Sequence, residues 1–120
     1  MLTKCLEAHI CYQPPLVTIN LYGEINALAE KTLNAAYTAA ESRAPEIILL
    51  NFQHVMYINS TGIALVFGLF ARARQSHYRL LVCGLNEHYM EIFHILHLTD
   101  IVDIFSEEAS ALASVYQYVS

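Results

Sequence analysis

The residues best placed to do chemistry are Asn59-Ser60-Thr61-Gly62, which run directly into the apolar segment Ile63 to Ala73. Asn, Ser and Thr side chains accept hydrogen bonds from the free N–H groups at helix N-termini, so a helix starts here. Gly62 then allows tight packing of the first turn. Taken as structure alone, the tetrapeptide is a capped turn. Taken as chemistry, it is a hydroxyl pair at the N-terminus of a buried helix, where the backbone N–H groups and the helix dipole both favour negative charge. Phosphorylation there adds about −1.5 to −2 charges at pH 7. On a flat docking face that charge is enough to expel a partner that had packed on the neutral form.

Other reactive side chains form no comparable constellation. His88, Glu91, His94 and His97 recur every third residue. That spacing drifts by about 60° per step around a helix of 3.6 residues per turn, so only neighbouring pairs share a face. No second cluster completes a set of four ligands, and no metal or other cofactor is expected. The chain has no G-x-S-x-G elbow, Walker sequence or G-x-G-x-x-G, and Gly23, Gly62, Gly68 and Gly84 are scattered. Nucleophilic catalysis needs a base within reach of the nucleophile, and no such pairing is evident, so the expectation is a protein that is not an enzyme. Cys5, Cys11 and Cys83 are odd in number and include no C-x-x-C. They read as reduced, buried thiols of a cytoplasmic protein.

Elements that position the turn follow from periodicity. Cys5 to Tyr12 reads as a strand, Pro14-Pro15 as a turn, and Leu16 to Tyr22 as a second strand in which Val17, Ile19 and Leu21 alternate with Thr18 and Asn20. Ala27 to Arg43 suits a helix with Leu28, Leu33, Ala36, Tyr37 and Ala40 on its inner side, and Pro45 stops it. The dense apolar run Glu46 to Phe52 looks like a strand covered on both faces, followed by a short extended piece, Val55 to Ile58. The helix from Asn59-Ser60 runs to about Gln75. It is apolar almost all round, which implies burial, and Arg72 and Arg74 complement its negative pole. Tyr78 to Cys83 is the next strand. Asn86 caps a helix from Glu87 to about Leu98, with Tyr89, Ile92, Phe93 and Leu96 inward. Ile101 to Ile104 reads as a short edge strand, and Ser106 caps a last helix with Ala109, Leu112, Ala113 and Tyr116 inward. Two strands followed by α-β-α-β-α-β-α indicate an α/β fold. It has a mixed sheet with parallel central strands, about four flanking helices and an N-terminal hairpin, and residues 1–120 form one domain.

Composition agrees. Hydrophobic residues make up 56% of the chain and charged residues 14%, with a mean hydropathy of +0.39. No formal charge falls between Glu46 and Arg72. A membrane span needs about 20 apolar residues, whereas Asn51, Gln53, His54 and Asn59 to Gly62 interrupt this stretch, so no membrane insertion is expected. The N-terminus lacks the apolar run of a secretion signal. The net charge of −5 disfavours nucleic acid as a partner. Beyond Arg79 there is no Lys or Arg, while Glu87, Glu91, Asp100, Asp103, Glu107 and Glu108 all follow. This acidic third is a solvated face or an electrostatic docking face for a protein.

Several segments in this order resemble the STAS domain of bacterial anti-sigma-factor antagonists. They are Gly23-Glu24-Ile25-Asn26, Ile47 to Phe52, Val55 to Ile63, Arg79 to Gly84 and Leu96 to Asp100, and the resemblance extends from Val17 to about Leu112. It implies the fold just described and a switch. In that family an anti-sigma kinase phosphorylates the first hydroxyl of an Asp-Ser-Ser-Gly-like turn, the unphosphorylated form binds the kinase and frees a sigma factor, and a serine phosphatase resets the cycle. Carried over, the phosphoacceptor is Ser60, with Thr61 as second choice. The partner face comprises Glu24, Asn26, Asn59, Ser60, Thr61 and Gly62. Asn59 and Asn26 replace acidic residues usual in the family. A homo-oligomer or larger complex fits the low surface charge. An alternative is a non-switching STAS subunit of a larger complex, such as a lipid-transport ATPase assembly.

Overall fold

The computed structural model describes residues 4–119. Its five-stranded sheet has the order β1-β2-β3-β4-β5, built from Glu7–Gln13, Leu16–Ile25, Ile47–Ile58, Arg79–Cys83 and Asp103–Phe105. The hairpin β1–β2 is antiparallel, and the remaining three pairings are parallel. Helices α1 (Glu30–Glu41), α2 (Ser60–Gln75) and α3 (Glu87–Ile95) each connect neighbouring parallel strands, and α4 (Glu108–Val119) follows β5. Because the strands advance in one direction, crossovers of one hand place α1, α2 and α3 on the same face.

That face holds the larger core. Val17, Ile19 and Leu21 of β2 and Ile48, Leu50 and Phe52 of β3 meet Leu33, Tyr37, Val66, Phe70 and Phe93 from the three helices. Each such side chain contributes roughly 1.5–3 kcal/mol relative to leaving it in water. The opposite face is covered by α4, where Ala111 and Val115 pack on Leu49, Leu81 and Cys83. Central positions of β3 are thus buried on both faces, as the unbroken run Ile47 to Leu50 required.

The structure corrects several expectations. The run from Ile47 to Ile58 is one strand, because register shifts between Asn20 and Tyr22 and between Gly23 and Glu24 on β2 absorb its irregular middle. Asn51, only 4% exposed, is satisfied there. Its amide donates to Asn20 Oδ1 at 2.9 Å, and its Oδ1 accepts from the Gln53 N–H at 3.0 Å. Leu28 is 79% exposed rather than inward, since Ala27–Ala29 form a 3₁₀ turn before α1 begins. Helix α3 stops at Ile95, and His97 adopts the left-handed conformation. Leu96 is therefore exposed, and Leu98 takes the buried position instead. In α4, Ala109, Ala113 and Tyr116 face solvent while Ala111 and Val115 are buried. The helix starts at Glu108, two residues after the expected cap, and its inner stripe moves with it. Helix α2 is not buried all round, for Ala64, Phe67 and Gly68 are exposed. All three cysteines are free, but only Cys83 is buried; Cys5, just before β1, and Cys11, on it, are exposed. Among the described residues, no helix is long and apolar enough to cross a membrane.

Candidate functional site

Two of the six expected site residues, Asn59 and Gly62, meet at one backbone group, the carbonyl of Ile25. This residue ends β2 and pairs with Ile58 at the end of β3. The Asn59 N–H donates to the Ile25 carbonyl at 3.2 Å, which ties the start of α2 to the end of β2. Gly62 lies on the same oxygen. A Cβ added to Gly62 would sit 2.0 Å from Ile25 O and 2.7 Å from its carbonyl carbon. Only a residue without a side chain allows α2 to approach β2 this closely.

Asn59 is the N-cap of α2. Its backbone is extended, and its Oδ1 accepts from the Gly62 N–H at 2.8 Å. Its carbonyl accepts the first helical bond, from Ile63 N–H at 2.9 Å. Ser60 and Thr61 therefore occupy the first two helical positions, and both side chains are exposed. Neither hydroxyl is engaged by another described residue. A phosphate on Ser60 would meet the positive end of a sixteen-residue helix whose apolar underside keeps it fixed.

Asn26 caps the neighbouring 3₁₀ turn by accepting from the Leu28 N–H at 2.9 Å, so it performs for β2's exit what Asn59 performs for β3's. Glu24 is half-buried on β2 opposite Tyr57, and its N–H donates to the Lys4 carbonyl at 3.2 Å. Glu24, Asn26 and Asn59 to Gly62 thus share the carboxyl end of the parallel strands, where open α/β sheets present their sites.

Two contributors were not legible as site residues. Tyr89 of α3 reads from its spacing as a core residue, but its hydroxyl accepts from the Ile58 N–H at 2.9 Å in a buried position. It thereby satisfies the backbone one residue before Asn59. The second contributor is an apolar groove of about 370 Å³ lined by Ser60, Ile63, Ala64, Phe67, Leu96 and Leu98. Phe67 is 49% exposed and Leu96 51%. The sequence signal was the apolar excess of α2, which exceeds what one buried face can absorb.

The histidines on and just after α3 do not converge. His88, His94 and His97 are exposed, and His97 instead approaches Asp100 at 3.6 Å. Among the described residues, no group of three or more His, Cys, Asp or Glu side chains is arranged to hold a metal ion.

The family model described as STAS domain matches residues 10–111. The anti-sigma-B factor antagonist of Listeria monocytogenes is 27% identical over 92 residues, covering 77% of this chain and 81% of that protein. The structure of the Bacillus cell-fate determinant SpoIIAA in its phosphorylated form superposes with a TM-score of 0.69 at 21% identity. That match covers 90% of this chain and 98% of that one. A sulfate transporter family protein from Wolinella succinogenes superposes with a TM-score of 0.77 at 15% identity, covering 91% of each chain.

Proposed function

Because the chain belongs to the STAS domain family, we propose that it is an anti-sigma-factor antagonist whose docking face is switched by phosphorylation of Ser60. In the unphosphorylated form the face around Glu24, Asn26 and Asn59 to Gly62 binds an anti-sigma-factor serine kinase and releases a sigma factor. The kinase transfers phosphate to Ser60, with Thr61 as the second acceptor, and a serine phosphatase restores the hydroxyl. The protein acts by binding, in the cytoplasm, and catalyses no reaction itself.

The observation that carries this reading is the exposed, unengaged Ser60 hydroxyl at the first position of α2, on the rim of the Phe67–Leu96 groove. An apolar partner surface packed there desolvates the rim. A neutral hydroxyl tolerates that, whereas a phosphate dianion loses its hydration and opposes docking. Asn59 holds the geometry without adding charge, since its amide accepts from Gly62 as an aspartate would. The Listeria relative named an anti-sigma-B factor antagonist supports the antagonist part of this assignment.

The test is incubation with the cognate kinase and ATP, followed by mapping of phosphate by mass spectrometry. Phosphate is expected on Ser60, and Ser60→Asp is expected to weaken kinase binding. Absence of phosphate on both Ser60 and Thr61, with Ser60→Asp binding like the wild type, would refute the switch. A second reading, a non-switching STAS subunit of a larger complex such as a lipid-transport ATPase assembly, draws on the exposed Leu28, Ile95 and Leu96, the last of which shares the groove with Ser60. Co-purification with a transporter ATPase, without phosphotransfer, selects it.

A further inference from the structure

We propose that the outer edge of β1 pairs with β1 of a second copy of this chain, joining the two sheets across a two-fold axis at Ile10. Strand β1 is one end of the sheet. Its seven residues pair with β2 in an unbroken register, from Glu7↔Tyr22 to Gln13↔Leu16, so its other edge presents a regular row of backbone donors and acceptors. Such an edge is a template for another strand unless it is blunted by shortness, charge, proline or a bulge. The opposite edge is blunted: β5 has three residues and carries Asp103, 3.6 Å from Arg79. β1 carries just one of these devices, a charge at its very start. Glu7, at its first position, is its only formally charged residue, and proline enters only at Pro14.

The residue pattern selects a copy of itself as the occupant. In an antiparallel pair, directly opposed residues share a face. Centring the pair on Ile10 is the arrangement that engages all of β1. On the helix-covered face, Ile10 meets Ile10 of the second copy and Ala8 meets Tyr12. Ile10 and Tyr12 are 37% and 40% exposed in the single chain, so this pairing covers apolar surface that β2 and α1 leave open. On the other face Glu7 meets Gln13, a carboxylate against an amide donor, and His9 meets Cys11. No like charges oppose each other, and each copy retains its own Glu7–His9 contact at 3.6 Å. Centring on His9 instead would stack two imidazoles at the axis and oppose Glu7 to Cys11. Centring on Cys11 leaves Glu7 and Ala8 beyond the pair. The guanidinium of Arg43, two residues past the end of α1, lies 5.4 Å from the Tyr12 ring centroid, so the end of α1 overhangs this strand. One and two turns before Arg43 it carries only Ala39 and Ala35, both exposed, which leaves room for the second copy's helix.

Sedimentation velocity on the whole chain, from micromolar to millimolar concentration, is the first test. A monomer–dimer equilibrium is expected. Ile10→Lys places like charges opposite each other at the axis and is expected to weaken it by about tenfold or more. Circular dichroism confirms that the variant is folded. A second variant fixes the register: Ile10→Cys in a Cys5→Ser, Cys11→Ser background. Mild oxidation is expected to give a disulfide-linked dimer, whereas Tyr57→Cys in the same background stays monomeric. A chain that remains monomeric throughout, a dimer unaffected by Ile10→Lys, or cross-linking no faster at residue 10 than at residue 57 would each overturn the proposal.

Discussion

Replacing Gly62 by alanine should be among the most damaging single-methyl additions in this fold, and Gly68→Ala on the same helix supplies the control. Real Cβ atoms essentially never come within 3.0 Å of another heavy atom outside their own residue and its neighbours, yet the added carbon at residue 62 would lie 2.0 Å from Ile25 O. The two nearest atoms are both backbone, so rotating the third neighbour, the Ile58 side chain at 3.0 Å, would not relieve the clash. The first turn of α2 must retreat from β2 by about 1 Å, which stretches the Asn59–Ile25 bond beyond its present 3.2 Å. Overpacking of this kind costs roughly 1–3 kcal/mol. Loss of one backbone bond adds roughly 0.5–1.5 kcal/mol, and disturbance of the Asn59 cap adds up to about 2 kcal/mol. The higher helix propensity of alanine returns about 1 kcal/mol. The net expectation is destabilisation by about 3 kcal/mol, the middle of a combined range of about 0.5–5.5 kcal/mol. At Gly68 an added Cβ meets nothing within 4 Å, so the same change should stabilise by about 0.5–1 kcal/mol. Urea unfolding followed by circular dichroism measures both. A Gly62→Ala variant within about 0.5 kcal/mol of wild type, inside the range of ordinary surface substitutions, would refute the close-approach argument.

Tyr89→Phe strands the buried Ile58 N–H without its acceptor. It should destabilise by about 1–3 kcal/mol in the same urea assay and slow phosphorylation of Ser60, because the backbone leading into Asn59 loosens. Phe67→Ser, at a half-exposed position, should leave the unfolding midpoint nearly unchanged while weakening kinase binding by about tenfold or more, as measured by calorimetry. Burial pushes the Tyr37 hydroxyl up to about 12, with Glu41 adding to the effect. Burial likewise pushes the Cys83 thiol up to about 12, with Glu108 as a smaller contributor. Both groups are acids held neutral in the native state, so above pH 9 the unfolded chain binds fewer protons than the folded one. Their contribution is complete below pH 9 and falls as pH rises towards 12. The urea midpoint should therefore decline from pH 9 to 11, and Tyr37→Phe with Cys83→Ala should flatten that decline. Tyr37→Phe alone should be neutral or mildly stabilising at pH 7, since its buried hydroxyl has no hydrogen-bond partner among the described residues.

Local signals determined most of the architecture. Alternation in Val17 to Leu21, the unbroken apolar run Ile47 to Leu50 and the Asn caps at residues 59 and 86 are short-range patterns. Each was legible because one turn of helix or one pleat of strand encodes it. The same cap pointed to Ser60 as an exposed hydroxyl at a helix start. Register was decided elsewhere. The inward stripe of α4 and the fate of Leu28 depend on where a helix begins to within one or two residues, and packing against the sheet sets that boundary more than propensity does. Tertiary structure alone supplied the Ile25 carbonyl beneath Gly62, the Tyr89 hydroxyl on Ile58 and the Phe67–Leu96 groove. Each joins residues more than two dozen positions apart, and only a completed sheet with three helices on one face brings them together. The sequence determined that a capped hydroxyl would stand at the end of a central strand. The fold decided what holds that turn in place and what apolar surface surrounds it.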